Sequence, residues 1–100
     1  MKILIIGGSR FVGPLVVEKL LKNNHEVTVF NRGRSDYKNE KLNYKKIRYI
    51  QGDRNDFNIF KDKFKNEFFE VVIDTCAFKG EQIKKAINEL NFDFYLNFST

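Results

Sequence analysis

Residues Gly7-Gly8-Ser9-Arg10-Phe11-Val12-Gly13 bring glycines, a hydroxyl and a guanidinium into one short stretch, a composition suited to holding phosphate. The first turn of a helix leaves backbone N–H groups without partners and carries the positive end of the macrodipole. A glycine such as Gly7 permits a tight turn and lets phosphate approach the backbone, and Gly13 lets a helix pack close to a strand. Pro14 falls in the first turn, where no N–H is needed, so the donors would be Arg10, Phe11 and Val12.

A second polar group follows at Asn31-Arg32-Gly33-Arg34, where no acid stands and two guanidiniums do. With Arg10 they could converge on a further phosphate, or remain solvated. Asp53, in Gln51-Gly52-Asp53, can accept a hydrogen bond from an amino group. Cys76 is the chain's one cysteine and His25 its one histidine, which argues against a disulfide and against catalytic metal held by nitrogen or sulfur. Cys76 has no sequence neighbour that would lower its pKa and reads as a small buried side chain rather than a nucleophile. His25 reads as a partly exposed turn residue.

The elements that must position these groups follow from hydrophobic pattern. Ile3-Leu4-Ile5-Ile6 is a continuous apolar run, as in a parallel strand buried on both faces. Phe11, Val12, Val16, Val17, Leu20 and Leu21 share one helical face, and Asn23 or Asn24 ends that helix in the left-handed conformation. Further strands are expected over 26–30, 47–50, 71–74 and 94–98. Asp56 is expected to cap a helix carrying Phe57, Phe60, Phe64 and Phe68 on a core face. Ile83, Ala86, Ile87 and Leu90 define another helix over 81–90. Residues 35–46 have no apolar period and form an exposed connection.

This order predicts an α/β fold, one domain over residues 1–100, with a parallel sheet ordered 3-2-1-4-5, right-handed crossovers and helices on both faces. Gly7 to Gly13, Asp53, Thr75 to Phe78 and Ser99-Thr100 would then line one crevice at the strands' carboxyl ends. The net charge of +5 fits an anionic partner, either a phosphorylated small molecule or a nucleic acid. Much of it lies in 31–46, where six basic residues face Asp36 and Glu40 for a net +4, either steering an anion or forming a solvated loop. No stretch approaches the ~20 apolar residues of a membrane span, and the expected location is cytoplasmic.

Together IIGGSRFVG, FNRGR, QGDRND, VVIDTCAF and NFST resemble the N-terminal part of the NAD-dependent epimerase/dehydratase family, the extended or atypical short-chain dehydrogenase/reductases with a Rossmann fold. The resemblance implies that Gly7, Gly8, Ser9, Arg10, Phe11, Val12 and Gly13 hold the pyrophosphate and adenosine side. It places Arg32 at the ribose end, with Asn31 also binding the cofactor, Asp53 and Arg54 at the adenine, and Ala77 and Phe78 near the cofactor ribose. Thr100 matches the family's active-site hydroxyl, with Ser99 beside it. Arg32 with Arg10 favours NADP, with NAD as second choice. Arg10 replaces the middle glycine of the usual turn, as in atypical members, and the family's catalytic Tyr and Lys are expected beyond the fifth strand. Tyr37 and Lys41 have the Tyr-x-x-x-Lys spacing but read as a chance match in a lysine-rich loop. The expected function is the cofactor-binding part of an oxidoreductase or of an epimerase/dehydratase acting on a small molecule such as a nucleotide sugar. The alternative is a non-catalytic protein that senses NADP or binds RNA.

Overall fold

The computed structural model describes residues 1–7, 19, 22–32 and 47–98. They form strands β1 (Lys2–Ile6), β2 (Glu26–Asn31), β3 (Ile47–Gln51), β4 (Phe68–Asp74) and β5 (Asn91–Asn97), with helices α1 (Ile59–Lys63) and α2 (Gly80–Glu89). The strands build one parallel sheet in the order β3-β2-β1-β4-β5. Ile6 stands opposite both Phe30 and Asp74, so the ends of β1, β2 and β4 lie level.

The continuous apolar runs have the two-faced burial that a central parallel strand requires. Alternation along β1 sends Leu4 and Ile6 to one core with Phe30, Phe60, Phe64, Val72, Ala86 and Leu90. Ile3 and Ile5 enter the other, with Val27, Val29 and Ile73. The described helices contribute to the first core, where the Phe30 ring meets Phe60 at 5.0 Å and Phe64 at 6.0 Å between centroids. The helix expected over 11–21 and the connection over 35–46 lie outside the described residues, apart from Lys19. Asn24 has φ 62, the left-handed conformation anticipated at Asn23-Asn24.

The second predicted helix is corrected. Asp56 does not cap it; α1 is a five-residue turn beginning after Asn58, whose φ is 54. Its free N–H groups at Phe60 and Lys61 instead donate to Glu89 Oε1 of α2, at 3.1 and 3.3 Å. Left-handed residues at Asn58 and Asn66 bracket the helix and break the phenylalanine period. Phe60 and Phe64 are core, whereas Phe57 is 87% exposed and Phe68 opens β4 at 48% exposed. Both β4 and β5 begin three residues before their predicted starts, because Phe68 and Phe69 pair with Asn91 and Phe92. Ala86 on α2 and Leu90 just past its end are buried as expected, but Ile87 is exposed.

Candidate functional site

β1 ends at Gly7, whose N–H donates to the Phe30 carbonyl at 2.8 Å. Thr75 closes the other side: its N–H and hydroxyl both donate to the Ile6 carbonyl, at 3.0 and 2.9 Å. Gly7 has φ +89, and a Cβ there would stand 2.5 Å from Thr75 Oγ1 and 3.2 Å from Cys76 Sγ. Conformation and space therefore both require glycine. Gly52 meets a similar limit, since a Cβ would come within 2.8 Å of the Phe30 ring.

Between these strand ends lies a cavity of about 460 Å³, with Gly7, Phe30, Arg32, Gly52, Cys76 and Phe78 among its walls. Asn31, Arg54, Asn55 and Gln82 also contribute. Its walls mix apolar side chains, Ile6 and Phe30 among them, with polar ones. The sheet order reverses between β1 and β4, and in open α/β sheets a crevice at that point receives the ligand.

At the rim, Arg32 Nη2 pairs with Asp53 Oδ2 at 3.3 Å. Gln51 Nε2 donates to the Arg32 carbonyl at 3.1 Å, and Asn55 N–H donates to Asp53 Oδ1 at 2.8 Å. Asn31 is nearly buried, and its Oδ1 accepts from the Tyr49 hydroxyl.

Deeper, Arg54 Nη1 pairs with Asp74 Oδ1 at 2.7 Å, and Nη2 donates to the Gln82 carbonyl at 3.0 Å. Asp74 also accepts from the Cys76 N–H at 3.1 Å and from the Tyr95 hydroxyl. Burial opposes the charge on Arg54, but the hydrogen bond and charge of Asp74 outweigh it and hold the guanidinium more firmly protonated than usual. Tyr95 is pushed up by burial and then by Asp74. Cys76 is also pushed up by burial, although Arg54, 3.4 Å from its Sγ, pulls the other way. The thiol is thus a protonated wall group, and the fold supplies a cationic neighbour that no sequence proximity indicated.

The structure places Gly7, Asn31, Arg32, Arg54 and Phe78 in the cavity wall, with Asp53 joined to it through Arg32. Ala77 is buried, and Phe78 is largely exposed. Gly8, Ser9, Arg10, Phe11, Val12, Gly13, Ser99 and Thr100 lie outside the described residues, as do Arg34, Tyr37 and Lys41. Sequence reasoning missed Phe30, Asn55 and Gln82. One signal was available, an aspartate closing the apolar run Val71-Val72-Ile73, which demands a buried partner. Gln82 Oε1 accepts from the N–H groups of Phe78 and Lys79 at 2.8 and 3.1 Å, while its Nε2 donates to Asn55 Oδ1 at 3.1 Å. It thereby joins the loops after β3 and β4. Among the described residues no cluster of three His, Cys, Asp or Glu suits a metal, and no helix is long and apolar enough to cross a membrane.

Residues 3–96 match the model of the NAD dependent epimerase/dehydratase family. A curated relative, the chloroplast stem-loop binding protein of 41 kDa b from Arabidopsis thaliana, is 33% identical over 98 residues, covering 89% of this chain and 26% of its own length. An epimerase from Methanothermobacter thermautotrophicus superposes with a TM-score of 0.78 at 20% identity, over 98% of this chain and 34% of its own. WbmG of Bordetella bronchiseptica, solved with NAD and UDP, gives a TM-score of 0.63 at 22% identity, over 80% of this chain and 26% of its own. UDP-glucose 4-epimerase of Thermotoga maritima, solved with UDP-glucose, gives 0.62 at 26% identity, over 89% and 29%. The chain thus spans about a quarter to a third of the length of these relatives.

Proposed function

The chain belongs to the NAD-dependent epimerase/dehydratase family, and we propose that it is the part of such a protein that binds a nicotinamide dinucleotide, with NADP preferred over NAD. The observation carrying this reading is the glycine cradle at the sheet's switch point. Gly7 lines the cavity with φ +89, and a Cβ there would strike Thr75, so only glycine makes the tight turn at the end of β1 that a pyrophosphate site requires. The apolar wall at Ile6 and Phe30 suits a flat base, and Arg32 suits the ribose end.

When bound, the dinucleotide supplies hydride transfer, and the residues of this chain bind and orient it. Gly7 would face the pyrophosphate, Arg32 and Asp53 the adenosine, and Phe78 the cavity mouth. Ser99 and Thr100 are proposed near the reacting end. The substrate of the complete protein is proposed to be a small molecule such as a nucleotide sugar. Calorimetric titration of the chain with NADP and NAD is expected to show binding of both, NADP more tightly. Absence of binding to either would overturn the reading; equal affinities would remove the NADP preference.

The stem-loop binding relative favours a second reading, RNA binding through the basic residues of 31–46. Filter binding of a stem-loop RNA across a salt series separates the two. Phosphate-driven binding falls steeply with salt, and NADP competes only where the sites overlap.

A further inference from the structure

Arg32 stands just past β2 and Asp53 just past β3, on neighbouring strand ends. Asn31 is in register with Gln51, and Gly52 N–H donates to the Asn31 carbonyl at 2.8 Å. Gln51 Nε2 fastens the Arg32 carbonyl from its own strand end. Asp53 is held as firmly. Its Oδ1 takes the Asn55 N–H, which leaves Oδ2 to face Arg32 Nη2 at 3.3 Å. The side chains are 65% and 37% exposed, so the pair is solvated and weak.

A weak pair still changes what a third charge feels. A phosphate monoester carries a charge of about −1.5 to −2 at neutral pH. At this rim it meets a guanidinium with a carboxylate already seated on it, so attraction to Arg32 is partly cancelled by repulsion from Asp53. A hydroxyl in the same place meets no such conflict, because it can donate to the carboxylate and leave the pair intact.

We propose that Asp53 is a specificity-determining residue of this site, an internal counter-ion that occupies Arg32 until a 2′-phosphate displaces it. The inference rests on reading the cavity as the adenosine end of a dinucleotide site. Binding of the 2′-phosphate is then an exchange. Arg32 passes from carboxylate to phosphate, Asp53 keeps the Asn55 N–H, and the NADP preference is held to a modest level by the carboxylate left nearby.

The test titrates the whole chain, Asp53→Asn and Arg32→Gln with NADP and NAD, and with adenosine 2′,5′-bisphosphate against 5′-AMP. Both positions are solvent-facing, and circular dichroism verifies that the variants fold. Asp53→Asn is expected to raise the NADP-to-NAD affinity ratio about fivefold, the scale of one exposed charge pair, chiefly by tightening NADP. Arg32→Gln is expected to bring the ratio to one or below. A ratio that Asp53→Asn leaves unchanged or lowers overturns the proposal. Equal weakening of all four ligands is one such result, and it would make Asp53 a plain adenine contact. If the unsubstituted chain binds none of the four, the cofactor reading fails and takes this proposal with it; binding with an unmoved ratio removes the proposal alone.

Discussion

Among the described residues, two arginine–aspartate pairs stand at the carboxyl ends of these strands, alike in chemistry and opposite in setting. Arg54 and Asp74 meet at 2.7 Å with side chains 7% and 0% exposed, whereas Arg32 and Asp53 meet at 3.3 Å in solvent. In the interior neither charge can be released, because each would be stranded without water. Asp74 also accepts from the Cys76 N–H and the Tyr95 hydroxyl, which fix it in place. At the rim, water can replace either partner at little cost. The inner pair is therefore a fixed wall of the cavity, and the outer pair can exchange partners with a ligand.

The sharpest way to break this contrast is to remove one inner charge. Asp74→Ala leaves a buried guanidinium unpaired and is expected to cost about 3–5 kcal/mol in chemical denaturation. The double variant Arg54→Met/Asp74→Leu removes both charges and should recover most of that loss. A single-variant cost under about 1 kcal/mol would show that the inner pair is as replaceable as the outer one.

A third carboxylate tests the intermediate case. Glu67 pairs with Lys2 at 3.0 Å and with Arg48, where its side chain is mostly buried and theirs are not. Burial alone would raise its pKa, but the hydrogen bonds from Arg48 and Lys2 prevail and hold it below the usual glutamate value. A depressed carboxyl contributes stability that is present above its unfolded pKa and lost as the pH falls through its folded one. Glu67→Gln should therefore lower stability at neutral pH by about 1 kcal/mol and flatten the acid limb of the stability curve. An acid limb as steep as that of the unsubstituted chain would remove Glu67 from that balance. The smallest effect belongs to the outer pair, where Arg32→Gln should change folding stability by less than about 0.5 kcal/mol in a thermal melt. A larger loss would make Arg32 structural and would undercut its exchange with a ligand.

Much of the sheet was legible because burial leaves a local signature. The runs Ile3-Leu4-Ile5-Ile6 and Val71-Val72-Ile73 could only be strands covered on both faces, and their order with the intervening helical patterns leads to β3-β2-β1-β4-β5. Gly7 was legible for a similar reason, since a glycine closing a buried strand marks a backbone that must turn. The phenylalanine period misled beyond Phe60 and Phe64, because Asn58 and Asn66 took left-handed conformations that apolar spacing does not report.

By itself, then, the sequence determined which segments are buried strands, the order they must take, and where a bare backbone turn stands at their carboxyl ends. Only the tertiary structure decided which charges answer one another. Arg54 is the sequence neighbour of Asp53, but its guanidinium turns inward to Asp74 across the sheet's switch point, while Arg32 takes Asp53. Glu89 likewise caps a helix whose start lies about thirty residues earlier. The physical reason is common to these cases. Hydrophobic periodicity records what each residue does with water, and is local, whereas the partner of a charge depends on strand ends that only the folded sheet brings level.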